Sequence, residues 1–317
     1  MTAEDVVVLT WYGTDEPLVE LANLVSARIA DALRQAPIAR VRELIAAGDA
    51  IDLVVIPGGA VVFPVVMGRA NSGRLQQQLE IAGLPVVGSG SRACRAAHDK
   101  RVLGPLLAQA GIPVAPYLVC ERGDDLLVTA ARAVKSFPSG CTVRPSVRDA
   151  MPPRYGGAHP AEVQASLEKM LATTAAVVLE ANRSGGRTFS LSCLRDGARV
   201  ASLPVVEVIE SVNAAEAIKF YSPWDTSYVC PADIDEQQRV ALDDIAVAAH
   251  NALGCVVSRM EVHVGSDGEL TVCAFDAAPL LLPTSLFARA AASAGIGFVE
   301  LVTRLVADAR QHHALAD

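Results

Sequence analysis

The sequence predicts a mixed fold in which an α/β domain with a parallel sheet is followed by an α+β region built from antiparallel strands. Two observations lead to this prediction. In the first ninety residues, short and continuously apolar runs alternate with segments of helical periodicity, which is typical of a parallel sheet covered by helices. Beyond residue 177 the apolar runs are longer and less regularly separated by helices. A length of 317 residues is sufficient for two or three domains.

The N-terminal domain begins with an apolar run at residues 6–10, which predicts a buried strand. Apolar positions between Leu18 and Leu33 then recur at the spacing of an amphipathic helix. The remaining predicted elements are a buried strand at residues 52–56, a helix at residues 75–82 and a short strand at residues 84–87. Because strands and helices alternate, we expect a parallel sheet whose ligands bind beyond the carboxyl ends of its strands.

The pattern becomes less regular after Lys100. The predicted elements are a helix at residues 100–110, a strand at 117–120, a helix at 124–135, strands at 141–144, 177–180, 189–194 and 201–209, a helix at 236–253, a hairpin over 258–275 and a final helix from Phe298. Residues 145–160 are rich in Pro, Gly and Arg, so we predict an exposed flap or loop there. The later strands predict an antiparallel sheet.

The composition favours a cytoplasmic protein that acts on small molecules. It is 51% hydrophobic and 20% charged, and it contains no run of about 18 apolar residues that could span a membrane. The N-terminus lacks the basic start of a signal peptide. A net charge of −8 argues against nucleic-acid binding, which depends on Lys and Arg. The seven cysteines are scattered without metal-binding spacing, so we expect most of them to be small buried apolar residues.

Short motifs at both ends of the chain carry a resemblance. The motifs are, in order, residues 84–90 (LPVVGSG), 98–100 (HDK), 110–113 (AGIP), 252–255 (ALGC), 258–261 (SRME) and 285–298 (SLFARAAASAGIGF). In this order and spacing they resemble the D-alanine–D-alanine ligase family, and the resemblance covers nearly the whole chain.

The resemblance implies an ATP-grasp fold with an N-terminal, Rossmann-like parallel-sheet domain. The implied domains are residues 1–90, which bind substrate, residues 91–182, the central ATP-grasp subdomain, and residues 183–317, the C-terminal ATP-grasp domain. The implied activity uses ATP and Mg²⁺ to phosphorylate the carboxylate of one amino acid, after which the amine of a second amino acid attacks the acylphosphate. A homodimer is also implied as a possibility.

On the substrate side, the resemblance implies roles for four residues. Glu16 would receive the amine of the first amino acid, Arg259 would stabilise the tetrahedral oxyanion, and Ser285 with Leu286 would receive the carboxylate of the second substrate. Each has a structural alternative when it is considered alone: a solvated carboxylate for Glu16, a surface ion pair for Arg259 and a helix N-cap for Ser285. Together, in family order, they favour a substrate pocket.

On the nucleotide side, Lys100 matches one phosphate-binding lysine, Arg144 replaces the second, and Glu180 matches an acid beside the adenine. The family's glycine-rich phosphate loop is replaced by residues 147–154, and Thr188 stands where an acid normally holds the ribose.

On the metal side, Glu261 and Asp276 occupy two ligand positions, whereas Ala274 replaces the bridging glutamate. Two hypotheses therefore stay open. The chain is either a divergent ATP-dependent carboxylate–amine ligase or a ligase-derived protein without ATP and Mg²⁺ chemistry. The second type of protein would bind an amino acid or dipeptide, or would catalyse a reaction without ATP.

Overall fold

The structure is a computed structural model that describes residues 5–12, 18–36, 40–47, 52–147, 155–183, 185–210 and 226–314. Within these residues the strands form three sheets that follow one another along the chain. Glu16 and most of the predicted phosphate loop lie outside the described residues.

The N-terminal part contains a parallel sheet, as predicted. Its elements are β1 (Asp5–Tyr12), α1 (Val19–Arg34), β2 (Arg40–Ala47), β3 (Val61–Val66) and α2 (Arg74–Ile81). In the described residues the strand order is β2-β1-β3, and both pairings are parallel. The central strand β1 is apolar on both faces because the sheet is covered on both sides.

The buried strand predicted at residues 52–56 is wrong. The chain forms a 3₁₀ turn at Leu53–Val55, where the Asp52 carboxylate accepts the Val54 N–H at 3.1 Å, and Val54 is 91% exposed. The two strands beside β1 are instead β3, which follows this turn, and the more polar β2, which is half-exposed along its length. The short strand predicted at residues 84–87 contributes one isolated bridge, between Val86 and Val62.

The central part of the chain builds an antiparallel sheet. Its elements are α3 (Ser91–His98), α4 (Lys100–Gln109), β4 (Tyr117–Glu121), α5 (Leu126–Ser136), β5 (Cys141–Pro145), β6 (Tyr155–Gly157), α6 (Pro160–Leu171) and β7 (Ala176–Ala181). In the described residues the strand order is β4-β7-β5-β6. Helices α5 and α6 pack together and share one hydrophobic core with the strands.

The flap predicted at residues 145–160 is partly wrong. Strand β6 pairs with β5 inside this stretch, and α6 begins at its end with Pro160. Proline is favoured in the first turn of a helix, and the Glu162 carboxylate accepts the His159 N–H at 3.3 Å, which satisfies a backbone donor at the helix start. A Pro-rich and Gly-rich composition therefore does not exclude regular structure here.

The C-terminal part contains a larger antiparallel sheet, as predicted. Its elements are β8 (Arg187–Asp196), β9 (Arg199–Ser202), β10 (Val206–Glu210), β11 (Thr226–Val229), α7 (Glu236–Leu253), β12 (Val257–Val264), β13 (Leu270–Asp276), α8 (Leu286–Ser293) and α9 (Phe298–Ala314). In the described residues the order is β11-β10-β8-β12-β13, with β9 also paired to β8. The single strand predicted at residues 201–209 is two strands, because Pro204 between them has no N–H to donate.

One hydrophobic core joins the two ends of the chain. Residues of β1, β3 and α1 pack in it together with residues of α8 and α9, among them Phe287 and Leu301, which are 0% exposed. We propose that the three sheets mark the three predicted domains, with α8 and α9 completing the N-terminal core. Among the described helices, no single helix is both long and apolar enough to cross a membrane. The bent pair Leu286–Ser293 and Phe298–His313 is long and apolar enough only when its two helices are taken together.

The cysteines behave as buried apolar residues, as predicted. Six of the seven are buried, and Cys230 is half-buried. Burial raises the pKa of Cys193 and of Cys255 to about 12. Both thiols are therefore protonated at neutral pH and have little nucleophilic reactivity.

A buried histidine makes the stability depend on pH. His250 on α7 is 1% exposed, its Nδ1 lies 2.8 Å from the Ser258 hydroxyl, and burial, with a further contribution from the positive charge of Arg195, lowers its pKa to about 4. The unfolded chain binds this proton near pH 6.5, so stability is complete above that pH and is lost as the pH falls toward 4. We expect the free energy of unfolding to fall by about 2 kcal/mol through this group between pH 7 and pH 5.

Urea denaturation of the wild type and of His250→Gln at both pH values measures this contribution. We expect the variant to lose less stability on acidification than the wild type. Equal losses in the two proteins would show that His250 is not the group responsible.

Candidate active site

Three charged side chains of the central part meet in one ion-pair group. The Lys100 ammonium and the Arg144 guanidinium both contact the Glu180 carboxylate, one on each oxygen. Arg144 and Glu180 are diagonal neighbours on the paired strands β5 and β7, so they project from the same face. The side chains are only 20%, 19% and 11% exposed, respectively. The structure thus brings together the three residues that the sequence predicts for the nucleotide side.

Lys100 is held in place by the start of its helix. The Asp99 side chain caps α4 by accepting the Arg101 N–H at 2.9 Å, and the Lys100 N–H donates to the Ser146 carbonyl at 2.9 Å. Burial favours the neutral form of Asp99, but hydrogen bonds from Arg101 outweigh it and lower the pKa of this carboxyl. An ionised cap therefore fixes the first turn of α4 and the direction of Lys100.

The same lysine reaches the C-terminal sheet. Its ammonium donates to the Cys273 carbonyl at 3.2 Å, and Arg183 contacts the Cys273 thiol. Cys273 is the extra residue of a β-bulge, since Glu261 pairs with Ala274 whereas the next residue, Val262, pairs with Val272. Bulges redirect side chains and backbone groups and are common beside active sites. This one connects the cations of the central part to the hairpin formed by β12 and β13.

Two carboxylates lie on that hairpin. Arg259 pairs directly with Asp276, and Glu261 pairs with Ala274 two residues further along β12, so Glu261 and Asp276 are diagonal neighbours on one face. Glu261 is 8% exposed and Asp276 is 5% exposed. The guanidinium of Arg259 lies 3.6 Å from the Glu261 carboxylate, which partly balances its buried charge.

A cavity of about 420 Å³ opens beside these residues. Arg259, Asp276, Ser285 and Leu286 line it, together with Leu280–Leu282. These leucines form walls of the cavity and leave the space beside Asp276 open. The structure thus brings Arg259, Ser285 and Leu286 together at one cavity, as the sequence predicts.

Ser285 has a structural role at this cavity. Its hydroxyl donates to the Leu282 carbonyl at 2.8 Å and accepts the Ala288 N–H at 3.4 Å. It is therefore the N-cap of α8, which confirms the alternative that the sequence offered. A capped helix start also presents backbone N–H groups that favour a carboxylate, so the cap does not conflict with a role in substrate binding.

Comparison with known proteins identifies the family. The family model described as D-ala D-ala ligase C-terminus matches residues 106–307. The chain belongs to the D-alanine–D-alanine ligase family. The D-alanine–D-alanine ligase of Frankia casuarinae is 30% identical over 278 residues, which cover 84% of this chain and 70% of that protein. D-alanine–D-alanine ligase A of Escherichia coli strain K12 is 26% identical over 311 residues, which cover 95% of this chain and 81% of that protein.

Solved structures of D-alanine–D-alanine ligases have the same fold. The ligase from Bacillus anthracis complexed with ATP has a TM-score of 0.81 at 18% identity, covering 99% of this chain and 100% of that chain. D-alanyl-alanine synthetase A from Vibrio cholerae has a TM-score of 0.84 at 16% identity, covering 98% of this chain and 99% of that chain. These likenesses confirm the predicted ATP-grasp fold.

Four residues of this family member come to the site without having been predicted. The Cys273 carbonyl accepts a hydrogen bond from Lys100, Arg183 contacts the Cys273 thiol, and Asn71 and Gln76 line the cavity. Nothing in the sequence pattern singles out the first two, because the bulge that positions Cys273 depends on strand register. Asn71 and Gln76 lie in or just before α2, where the sequence predicts a helix but carries no motif that assigns a binding role. Glu16 lies outside the described residues, so its role stays a prediction.

Proposed function

We propose that this chain is an ATP-dependent carboxylate–amine ligase that joins two amino-acid-like molecules. One contact supports this function above the others: Lys100 donates to the carbonyl of Cys273, the residue just before Ala274. This contact brings the cations suited to phosphate, Lys100 and Arg144, next to the hairpin that carries Glu261 and Asp276, the carboxylates suited to a metal ion. Arg259 and Asp276 in turn line the substrate cavity. The groups needed for a phosphoryl transfer next to a substrate pocket are therefore contiguous.

The cleft residues fit a nucleotide phosphate. Lys100 and Arg144 are mostly shielded from water, where attraction to an anion is stronger than at the surface. Activation of a carboxylate by phosphoryl transfer is the chemistry that bound ATP would supply. Lys100 and Arg144 would hold its phosphates, and Glu180 would orient both cations as well as approach the adenine.

Glu261 and Asp276 fit one Mg²⁺ ion. Magnesium is usually bound through one or two carboxylates together with substrate phosphates and water. In the described part of the chain no group of three or more His, Cys, Asp or Glu could hold a metal, and Ala274 stands opposite Glu261 in place of a bridging acid. We therefore propose a single ion shared with the nucleotide rather than a bridged pair.

The remaining residues would act on the substrates. Glu16 would bind the amine of the first amino acid, and Arg259 would stabilise the oxyanion that forms when the second amine attacks. Ser285 and Leu286, at the start of α8, would receive the carboxylate of the second substrate. The apolar cavity would keep water from the acylphosphate, which hydrolyses readily.

The alternative of a ligase-derived protein without ATP chemistry is not favoured. The chain belongs to a ligase family, and Lys100, Arg144 and Glu180 are grouped in the cleft. Three departures from the family pattern support a specialised ligase instead. Arg144 stands in place of a lysine, Ala274 in place of the bridging glutamate and Thr188 in place of the acid that holds the ribose. The homodimer and the cytoplasmic location stay predictions.

Calorimetry with Mg²⁺ and ATP tests the proposal. We expect the wild type to bind Mg-ATP and to release ADP when amino acids are added. Lys100→Met removes one charge-assisted contact to phosphate and should weaken ATP binding by about 10–100-fold. Lys135→Met, at an exposed position on α5, is the matched control and should bind ATP as the wild type does. Absence of ATP binding by the wild type at millimolar ATP, alongside clear binding of an amino acid, would overturn the proposal.

A further inference from the structure

The cavity beside Arg259 is larger and more apolar than alanine requires. Its volume of about 420 Å³ lies in the range of pockets that enclose molecules much bigger than alanine, about 300–1,000 Å³. Its apolar walls include Leu24, Val25, Phe63, Val65, Leu280 and Leu282. A methyl side chain would leave most of this surface without contacts.

Two polar side chains interrupt the apolar wall. Gln76 on α2 is 1% exposed, and Asn71, just before that helix, is 8% exposed. Among the described residues, neither the Gln76 Oε1 nor the Asn71 Oδ1 has a hydrogen-bond partner. Both residues line the cavity.

A buried and unpartnered amide oxygen is unfavourable for the protein alone. Most buried polar groups are hydrogen-bonded, and an exception needs a physical reason. Two exceptions on the wall of one cavity share a simple reason, namely a ligand that donates hydrogen bonds to both oxygens. Because amides are neutral acceptors, they suit an N–H or O–H donor and do not require a formal charge.

We infer that the cavity binds an amino acid with a large apolar side chain, of leucine or phenylalanine size, whose N–H groups donate to Asn71 and Gln76. The carboxylate of this amino acid lies at the Ser285 end of the cavity, and its side chain covers the leucines of residues 280–282. This inference rests on the proposed ligase function and names the substrate class for it. The two recognition elements are independent, since the apolar walls select size and the amides select a hydrogen-bond donor.

Calorimetry without nucleotide tests the substrate class directly. Both enantiomers of alanine, leucine and phenylalanine are titrated into the wild-type protein. We expect leucine or phenylalanine to bind at least about 10-fold tighter than alanine, because extra buried methylene groups discriminate to that degree in an apolar pocket. Equal or tighter binding of alanine would overturn the inference.

Two variants test the two recognition elements. Gln76→Leu removes the unpartnered amide, so we expect the thermal unfolding midpoint to stay level or rise while affinity for the preferred amino acid falls at least about 5-fold. Leu282→Phe narrows the cavity and should weaken phenylalanine binding while sparing alanine. Gln78→Leu, two residues further along α2, and Leu127→Phe, at a residue 62% exposed on α5, are the matched controls. A Gln76→Leu protein with a lower midpoint and unchanged affinity would show that Gln76 is only structural and would overturn its assigned role.

ADP release separates this inference from the proposed function. Release with alanine but not with larger amino acids would overturn the inference and leave the ligase function standing. Tight phenylalanine binding without ADP release from any pair of amino acids would support the binding site and overturn the ligase function.

Discussion

Arg259→Lys is expected to lower amino-acid-dependent ADP release by about 10²–10³-fold while the protein stays folded. Removing one preorganised group that stabilises developing charge has an effect of this size in other enzymes. The Arg259 guanidinium lies 3.6 Å from the Glu261 carboxylate. Lysine keeps this positive charge, so the buried ion pair is not broken. Lysine lacks the planar guanidinium fork with which arginine can hold two oxygens at once, so the variant stabilises the oxyanion less well.

A coupled assay for ADP measures this rate, and the thermal unfolding midpoint checks the fold. Arg239→Lys is the control, because Arg239 lies on the exposed side of α7, where it pairs with Glu236 and Asp243. It should change neither value. An Arg259→Lys enzyme with wild-type turnover would show that Arg259 acts only as the ion-pair partner of Glu261.

Long-range pairing limited how much of the fold could be predicted. Residues 52–56 have the apolar composition of a buried strand, yet Asp52 caps a short turn there and Val54 is exposed. Strand β2 mixes three charged residues with five apolar ones without regular alternation, so its sequence indicates a strand less clearly than the apolar sequence of β1 does. Long elements with clear boundary signals are easier to predict from the sequence. Helix α7 begins at Glu236 after its cap, Asp235, and ends before Gly254, as predicted.

The candidate site could be predicted where a motif carries it. Lys100, Arg144 and Glu180 come from three separate elements, and only their order in a known family indicated that they would meet. Asn71 and Gln76 could not be found this way, because a motif records what a family retains. An orphaned buried oxygen is visible only in three dimensions. The bulge at Cys273 is likewise a property of the strand register.

Ala274→Glu is expected to lower the Mg²⁺ concentration that gives half-maximal ADP release by about 10–100-fold. Ala274 is half-buried opposite Glu261, and the new carboxylate would project from the face that carries Asp276. The new carboxylate would add a third oxygen ligand to those of Glu261 and Asp276. Even changes to groups that only support metal ligands alter metal affinity by about 10–100-fold. Without Mg²⁺ the three acids repel one another, so the variant should unfold at a lower temperature than the wild type.

Added Mg²⁺ should reverse that loss of stability in Ala274→Glu, because an ion that binds only the folded state stabilises it. The glutamine of Ala274→Gln has nearly the same volume as glutamate but carries no charge. This variant should therefore show neither the Mg²⁺-dependent recovery of stability nor the lower Mg²⁺ requirement. Ala161→Glu, exposed in the first turn of α6, controls for the added charge. If Ala274→Glu and Ala274→Gln respond alike to Mg²⁺, the ion does not bind beside Glu261 and Asp276. Turnover would then depend on an ion held by the nucleotide alone.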